Sequence, residues 1–193
     1  MWSNDLSFEI IWKVGFTVTS YGGALGQVFR NFNNDYTYYY PDYVPAQWAL
    51  NLYASNDTRY GAYFGSAKTG YPHQLTWPLL TKYFGNEQFI SNMIYHVNMP
   101  KPLRLAEQYL IRAEAYCRKG QYSAASADLS ALNTARYRGN VSVSLNASNW
   151  LRTISDERVK ELFMEGFRLQ DLKLWNMGFE RTPQSQTQSE GSS

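Results

Sequence analysis

The chain has 193 residues, enough for one domain with its own hydrophobic core or for part of a larger one. Charged residues are only 18% of the sequence and the formal net charge is +2, with Lys and Arg scattered, so no basic surface for nucleic acid is expected. The single Cys117 excludes an internal disulfide framework and a cysteine-based metal cluster, since both need at least two thiols.

The first half of the chain combines one strand signal with long turn-rich stretches. Apolar and polar residues alternate over residues 8–18, which predicts a strand whose buried face includes Phe8 and Trp12. A Gly-, Asn- and Tyr-rich region without helical period follows, and Pro45 predicts a short helix over residues 45–53. Residues 56–102 are again turn-rich, with room for one more strand.

Helical periodicity becomes clear from Leu103 onward. The first helix should bury one stripe of side chains before a stop signal at Gly120. That predicted stripe comprises Leu105, Tyr109, Ala113, Tyr116 and Cys117. A second helix is predicted over residues 123–136, with small Ala124, Ala125 and Ala127 allowing close approach to the first helix and with Leu129 and Leu132 filling the contact. We predict a third helix over residues 157–175, capped by Ser155 and Asp156.

The first two helices form a hairpin that is similar to a tetratricopeptide repeat. The matching positions are Tyr109, Ala113, Tyr116, Gly120, Tyr122, Ala125, Leu129 and Leu132. Small residues let the two helices touch, and the Gly-x-Tyr turn reverses the chain. A lone repeat cannot bury both of its faces, so partner helices must come from elsewhere in the chain or from outside it.

Two ordered motifs carry a resemblance to a known family. Residues 104–136 read RLAEQYLIRAEAYCRKGQYSAASADLSALNTAR, and residues 155–182 read SDERVKELFMEGFRLQDLKLWNMGFERT. They closely resemble the C-terminal half of SusD/RagB proteins, which typically read R-L-A-E-x-x-L-I-x-A-E-A and then E-R-R-x-E-L-x-x-E-G-x-R-x-x-D-L-x-R-W. The strand FEIIWKVGF and the D-x-R element at Asp57 and Arg59 extend the resemblance, whereas Phe167 departs from the usual His.

The resemblance implies a mainly α fold, a SusD-like, tetratricopeptide-like helical scaffold with an irregular aromatic-rich loop region and a short strand or two. It implies one domain over residues 1–181, with strand and loops at 1–102 and helices at 103–181, and the Gln- and Ser-rich residues 182–193 predict a disordered tail. Family members begin with a lipoprotein signal and an acylated cysteine. Neither is found here, so we expect a fragment or a shortened relative whose membrane association would need a lipid anchor absent from this chain.

The aromatic region is the predicted ligand-binding surface. Aromatic residues make up 17% of the sequence, and Tyr and Trp rings can stack on the C–H faces of sugars while nearby polar groups bind hydroxyls. The predicted binding residues are Tyr36, Tyr38, Tyr39, Tyr40, Tyr43, Trp48 and Asp42. The same rings could instead pack on the helices or on a transporter partner.

The resemblance implies binding without chemistry. A family member captures glycans or oligosaccharides at the bacterial outer membrane and passes them to a SusC-like TonB-dependent transporter, with no cofactor. The alternative is a helical-repeat scaffold whose aromatic surface binds protein.

Enzyme functions are disfavoured by the residues themselves. Glu157, Glu161 and Glu165 lie at four-residue steps on one predicted helix, a spacing that favours ion pairs over an acid/base pair held in a cleft. His73 and His96 lack metal-ligand spacing, so no metal site is predicted.

Overall fold

The chain folds into two compact units, one rich in loops and one helical. The computed structural model describes residues 1–32, 37–70 and 74–180. Of the described residues, the first unit, the loop unit, contains those of 1–50 and 60–104, and the second, the helical unit, contains 51–59 and 105–180. The predicted tail at residues 182–193 lies outside the described residues, and a single domain over residues 1–181 stays a prediction.

The loop unit is built from short elements. In chain order they are β1 (Ile10–Trp12), α1 (Gln27–Arg30), α2 (Gln47–Leu50), α3 (Thr58–Tyr63), β2 (Phe64–Lys68), β3 (Thr76–Leu80), α4 (Glu87–Ile90) and β4 (Leu103–Arg104), with the unit boundary inside α3. Strands β2 and β3 form an antiparallel ladder from Phe64 opposite Leu80 to Lys68 opposite Thr76. Strands β1 and β4 form a second antiparallel pair with an irregular register.

The helical unit contains the longer helices. They are α5 (Leu105–Arg118), α6 (Tyr122–Thr134), α7 (Trp150–Glu161) and α8 (Arg168–Leu174). Its core is a cluster of small and aliphatic side chains at three- and four-residue steps, as expected for packed amphipathic helices. The buried members include Ala106, Leu110, Ala113, Cys117, Ala125, Leu129, Leu132 and Ile154. Among the described residues, no helix has the length and apolar character needed to cross a membrane.

The hairpin of α5 and α6 confirms the prediction made from the repeat pattern. Ala113 on α5 and Ala125 on α6 are fully buried in the shared core, so small side chains do stand where the two helices meet. Gly120 has a φ of +73°, a conformation that costs glycine least, and the Gln121 N–H donates to the carbonyl oxygen of Tyr116 at 2.9 Å. The turn therefore needs a glycine at this position.

The buried stripe of α5 is only partly as predicted. Ala113 and Cys117 are buried and Tyr116 packs against the core, but Leu105 is 42% exposed. Residues 103–104 are strand β4, so Leu105 is the first helical residue. The following Ala106 is buried in its place.

The strand predicted over residues 8–18 is wrong in length and in burial. Only Ile10–Trp12 forms a strand, Phe8 is fully exposed, and Trp12 is 55% exposed. The only named strand paired with β1 among the described residues is the two-residue β4. Alternation alone cannot bury a face where so little sheet is formed.

The second half of the loop unit differs from prediction in detail. The helix predicted over residues 45–53 is the single turn α2, which buries Ala49 and Leu50 and leaves Trp48 half exposed. The sequence left room for one more strand over residues 56–102, and the structure has two there, β2 and β3, which pair antiparallel.

The long third helix predicted over residues 157–175 is two helices. Helix α7 begins earlier, at Trp150, and ends at Glu161, while α8 begins at Arg168. Met164 and Gly166 between them have φ values of +56° and +90°, which a continuous right-handed helix does not allow. The predicted cap is also wrong: Asn149 precedes α7, and Ser155 is buried inside it, accepting a hydrogen bond from Arg168 Nη1 at 2.9 Å.

Candidate functional site

The predicted binding residues belong to a segment tied to its surroundings through its backbone. We call residues 37–48 the aromatic segment; Tyr36 lies outside the described residues. The Tyr39 N–H donates to the Lys68 carbonyl oxygen at 3.0 Å, and the Tyr40 N–H donates to that of Asn31 at 2.7 Å. The N–H groups of Asp42 and Tyr43 both donate to the Val28 carbonyl oxygen. Helix α1 and strand β2 thus position a stretch that has little regular structure of its own.

Tyr39 is held by protein contacts on several sides. Its ring centroid lies 4.3 Å from that of Phe32 and 4.8 Å from the guanidinium carbon of Arg30. The Tyr39 hydroxyl accepts a hydrogen bond from Arg30 Nη2 at 2.7 Å. Half-buried and held in this way, Tyr39 positions the segment and offers little free ring surface.

Tyr38 and Tyr40 are partly engaged as well. The Tyr38 hydroxyl donates to Gln74 Oε1 at 2.9 Å. The Tyr40 ring packs against Gly70 so closely that a Cβ on Gly70 would lie 2.0 Å from Tyr40 Cζ, and the side chain is 37% exposed. Gly70 therefore makes room for the Tyr40 ring.

The most exposed predicted side chains are Tyr43, Trp48 and Asp42. Tyr43 is 60% exposed, with its ring centroid 6.3 Å from that of Phe29, and Trp48 is 50% exposed on α2. The exposed Asp42 carboxylate makes no hydrogen bond or ion pair with the described residues. These three side chains can meet a ligand without any rearrangement of the core.

Sequence reasoning missed a cluster of Arg30, Phe84 and His96 beside the aromatic segment. Arg30 lies between Tyr39 and Phe84, with its guanidinium carbon 5.3 Å from the Phe84 ring centroid. The His96 ring lies 5.6 Å from that of Phe84, and burial, together with the charge of Arg30, lowers the pKa of His96. Arg30 and His96 are far apart in sequence, so no spacing could have indicated that they meet.

The helical unit contains a buried ion cluster instead of a pair of free carboxylates. Arg59 donates to Asp57, to Glu157 at 2.6 Å and to Glu161 at 3.1 Å, and all four residues are buried. Arg136 also donates to Glu161, at 2.9 Å. The ion pairs predicted for Glu157 and Glu161 are therefore confirmed, although most of their partners lie on other segments of the chain.

Two groups beside this cluster have raised pKa values. Burial raises the pKa of the Tyr53 hydroxyl, and the charge of Arg59 opposes this rise only in part. That hydroxyl donates to the carbonyl oxygen of Lys160 at 2.9 Å. The pKa of Lys160 is also raised: burial opposes the rise, but the Glu157 carboxylate 2.6 Å away outweighs it.

Comparison with known proteins places the chain in a family. The sequence profile of the SusD family matches residues 60–191. Comparison with curated protein sequences gave no match. The chain belongs to the SusD family.

Solved structures of similar fold come from Bacteroides. A SusD-like carbohydrate-binding protein from Bacteroides vulgatus is 27% identical, with a TM-score of 0.65 over 85% of this chain and 34% of its own. A SusD superfamily protein from Bacteroides fragilis is 18% identical, with a TM-score of 0.62 over 87% and 40%. NanU from the same species is 18% identical, with a TM-score of 0.58 over 90% and 45%.

These similarities confirm the mainly α, SusD-like fold that the motifs implied. The described residues also fit it, since their longest elements are the helices of the helical unit. The chain spans between about a third and a half of the length of these solved structures.

Proposed function

We propose that the chain binds oligosaccharides at the bacterial cell surface through the exposed rings of the aromatic segment, without catalysing a reaction on them. The observation that carries the proposal is the exposure of Tyr43 and Trp48 on a backbone anchored to α1 and β2. A ring held in place before the ligand arrives loses little conformational freedom on binding. Membership of the SusD family and the similarity to a carbohydrate-binding relative support a sugar as the ligand.

Affinity should be modest. An exposed surface that stacks two or three sugar rings at about 1 kcal/mol each, after ordering costs, gains about 2–3 kcal/mol, which corresponds to dissociation constants of about 5–30 mM. Such binding suits a protein that passes its ligand on. We propose a SusC-like TonB-dependent transporter as the recipient and the outer face of the outer membrane as the location, as in the family that the motifs resemble.

Isothermal titration calorimetry with a panel of soluble oligosaccharides tests the proposal. We expect saturable binding of at least one oligosaccharide, with no reducing ends released on prolonged incubation. Release of reducing ends by the pure protein, absent from an inactivated control, would make the protein a hydrolase. A folded protein that binds no member of a broad panel would overturn the proposal.

A protein-binding scaffold is the second candidate. Exposed apolar side chains on and after α8 favour it: Leu169, Leu174 and Phe179 are each more than half exposed. Co-purification with a SusC-like TonB-dependent transporter, compared between wild type and a Leu174→Ser, Phe179→Ser variant, tests it. Capture that depends on these residues, in a protein that binds no oligosaccharide, would favour the scaffold.

A further inference from the structure

Arg30 is a half-buried cation held by aromatic rings and one hydroxyl. Its guanidinium carbon lies 4.8 Å from the Tyr39 ring centroid and 5.3 Å from that of Phe84. Nη2 donates to the Tyr39 hydroxyl at 2.7 Å, and Nε is buried and finds no acceptor among the described residues. Aromatic rings and a neutral hydroxyl orient the guanidinium but do not neutralise its charge.

The charge of Arg30 has no carboxylate partner in the described part of the chain. Two buried arginines of this protein are paired: Arg59 lies 2.6 Å from Glu157, and Arg158 lies 2.8 Å from Asp171. Removing a cation from water is unfavourable unless an anion compensates it. Within the described residues, Arg30 has no such compensation.

A second cation lies on the neighbouring tyrosine. The Lys68 ammonium is 5.0 Å from the Tyr38 ring centroid, and Lys68, too, forms no ion pair with any described carboxylate. Tyr39 and Tyr38 therefore each lie beside a cation that no carboxylate of the described residues compensates. His96 beside Arg30 supplies no anion, and burial together with the charge of Arg30 lowers its pKa.

We propose that the aromatic segment selects acidic oligosaccharides, with the carboxylate of a uronic-acid residue binding to Arg30 and Lys68 supporting it. This rests on the proposed function and narrows its ligand class. A planar guanidinium matches a carboxylate through two parallel N–H···O bonds. In Arg30 the edge formed by Nη1 and the second N–H of Nη2 would supply them, since Nε is buried. A uronic acid joins that carboxylate to a ring face that can stack on Tyr or Trp.

Matched pairs of ligands test the charge alone. Oligogalacturonate, oligoguluronate and oligoglucuronate are each titrated beside the neutral counterpart in which every carboxylate is methyl-esterified. We expect at least one acidic oligosaccharide to bind about tenfold or more tightly than its ester at low salt, with the difference shrinking as salt rises, because the extra contact is an ion pair. The neutral partner controls for size and ring contacts.

Substitutions test whether Arg30 and Lys68 are the residues that bind the carboxylate. Arg30→Gln should reduce binding of the acid to the level of the ester, and Arg30→Lys should retain part of the difference. Since Arg30→Gln could disturb Tyr39, the exposed Lys68→Gln serves as a second variant and should weaken acid binding about two- to threefold without changing the unfolding midpoint. Arg152→Gln is the control, because Arg152 is an exposed arginine on α7 that pairs with Asp156 in the other unit.

The outcomes separate this inference from the proposed function. Failure of every oligosaccharide to bind would overturn both. If oligosaccharides bind but no acid binds more tightly than its ester, the acidic preference is overturned. If Arg30→Gln weakens acid and ester equally, the binding of the carboxylate to Arg30 is overturned. Either result leaves the proposed function in place. Acid binding that Arg152→Gln weakens as much as Arg30→Gln would also overturn the binding of the carboxylate to Arg30.

Discussion

Arg59, in the short D-x-R element, is the centre of a buried ion cluster. It donates to three carboxylates, those of Asp57, Glu157 and Glu161, while Glu161 also accepts from Arg136. A buried charge is tolerated when its partners satisfy it, and removing one partner leaves the others uncompensated. Carboxylates used in this way are not available as an acid/base pair.

Replacing Glu161 with Gln should destabilise the protein strongly. Its carboxylate accepts from two arginines and is fully buried, so its loss should lower the free energy of unfolding by about 3–5 kcal/mol. Chemical denaturation followed by far-UV circular dichroism measures the change. The control is Asp156→Asn, which breaks the exposed pair with Arg152 and should cost at most about 1 kcal/mol. Equal effects of the two substitutions would contradict a central role for the cluster.

Alkaline pH should destabilise the helical unit through Tyr53. Burial raises the pKa of its hydroxyl above the usual 10.0, so the folded state keeps a proton that the unfolded state releases. This contribution is fully present below pH 10 and is lost as pH rises toward the folded-state pKa; the raised pKa of Lys160 acts in the same direction. Unfolding midpoints between about pH 8 and 11 should fall, and Tyr53→Phe should reduce that fall. An identical pH dependence in the variant would argue against this role of Tyr53.

Single residues of the candidate site were only partly predictable. Composition indicated that the tyrosines exceed what a core needs, and Tyr43 and Trp48 are indeed exposed. The sequence could not indicate that Tyr39 would be tied to Arg30, because that contact depends on how α1 and the aromatic segment fold back on each other. Burial of one tyrosine and exposure of its neighbour are tertiary properties.

At the level of elements, the helical hairpin was the most predictable part. Its apolar and small residues recur at three- and four-residue steps over two helices, and the bounds agree within a few residues. The long third helix was wrong because residues 157–175 are periodic on both sides of a break at Met164 and Gly166. The first strand was wrong because a strand depends on its partner, which lies about 90 residues away at β4.

The hairpin contact should be sensitive to side-chain size at one alanine and insensitive at another. Ala125 on α6 is fully buried, so Ala125→Leu should overpack the contact with α5 and lower the free energy of unfolding by about 1–3 kcal/mol. Ala127 on the same helix is exposed, and Ala127→Leu should change the free energy by less than about 0.5 kcal/mol. Urea unfolding of both variants measures the difference. A larger loss for Ala127→Leu would contradict the packing described.

At the level of the whole molecule, the chain consists of two units. The loop unit has exposed aromatic rings, and the helical unit has its own core and a buried ion cluster. The chain spans between about a third and a half of the length of similar solved structures, so the complete capture and transfer of a ligand remains a proposal. Family membership and fold rest on helices and motifs, whereas we propose that ligand choice rests on a few loop side chains. The two properties can therefore vary independently among relatives.

The most direct test is a calorimetric titration of the tightest-binding oligosaccharide with wild-type protein, Trp48→Ala and Trp12→Ala. The two tryptophans are similarly exposed, at 50% and 55%, but only Trp48 belongs to the aromatic segment. We expect Trp48→Ala to weaken binding about fivefold, which corresponds to the loss of one stacked ring at about 1 kcal/mol, while Trp12→Ala leaves affinity unchanged. Unchanged affinity in Trp48→Ala, or an equal loss in both variants, would contradict the proposed site.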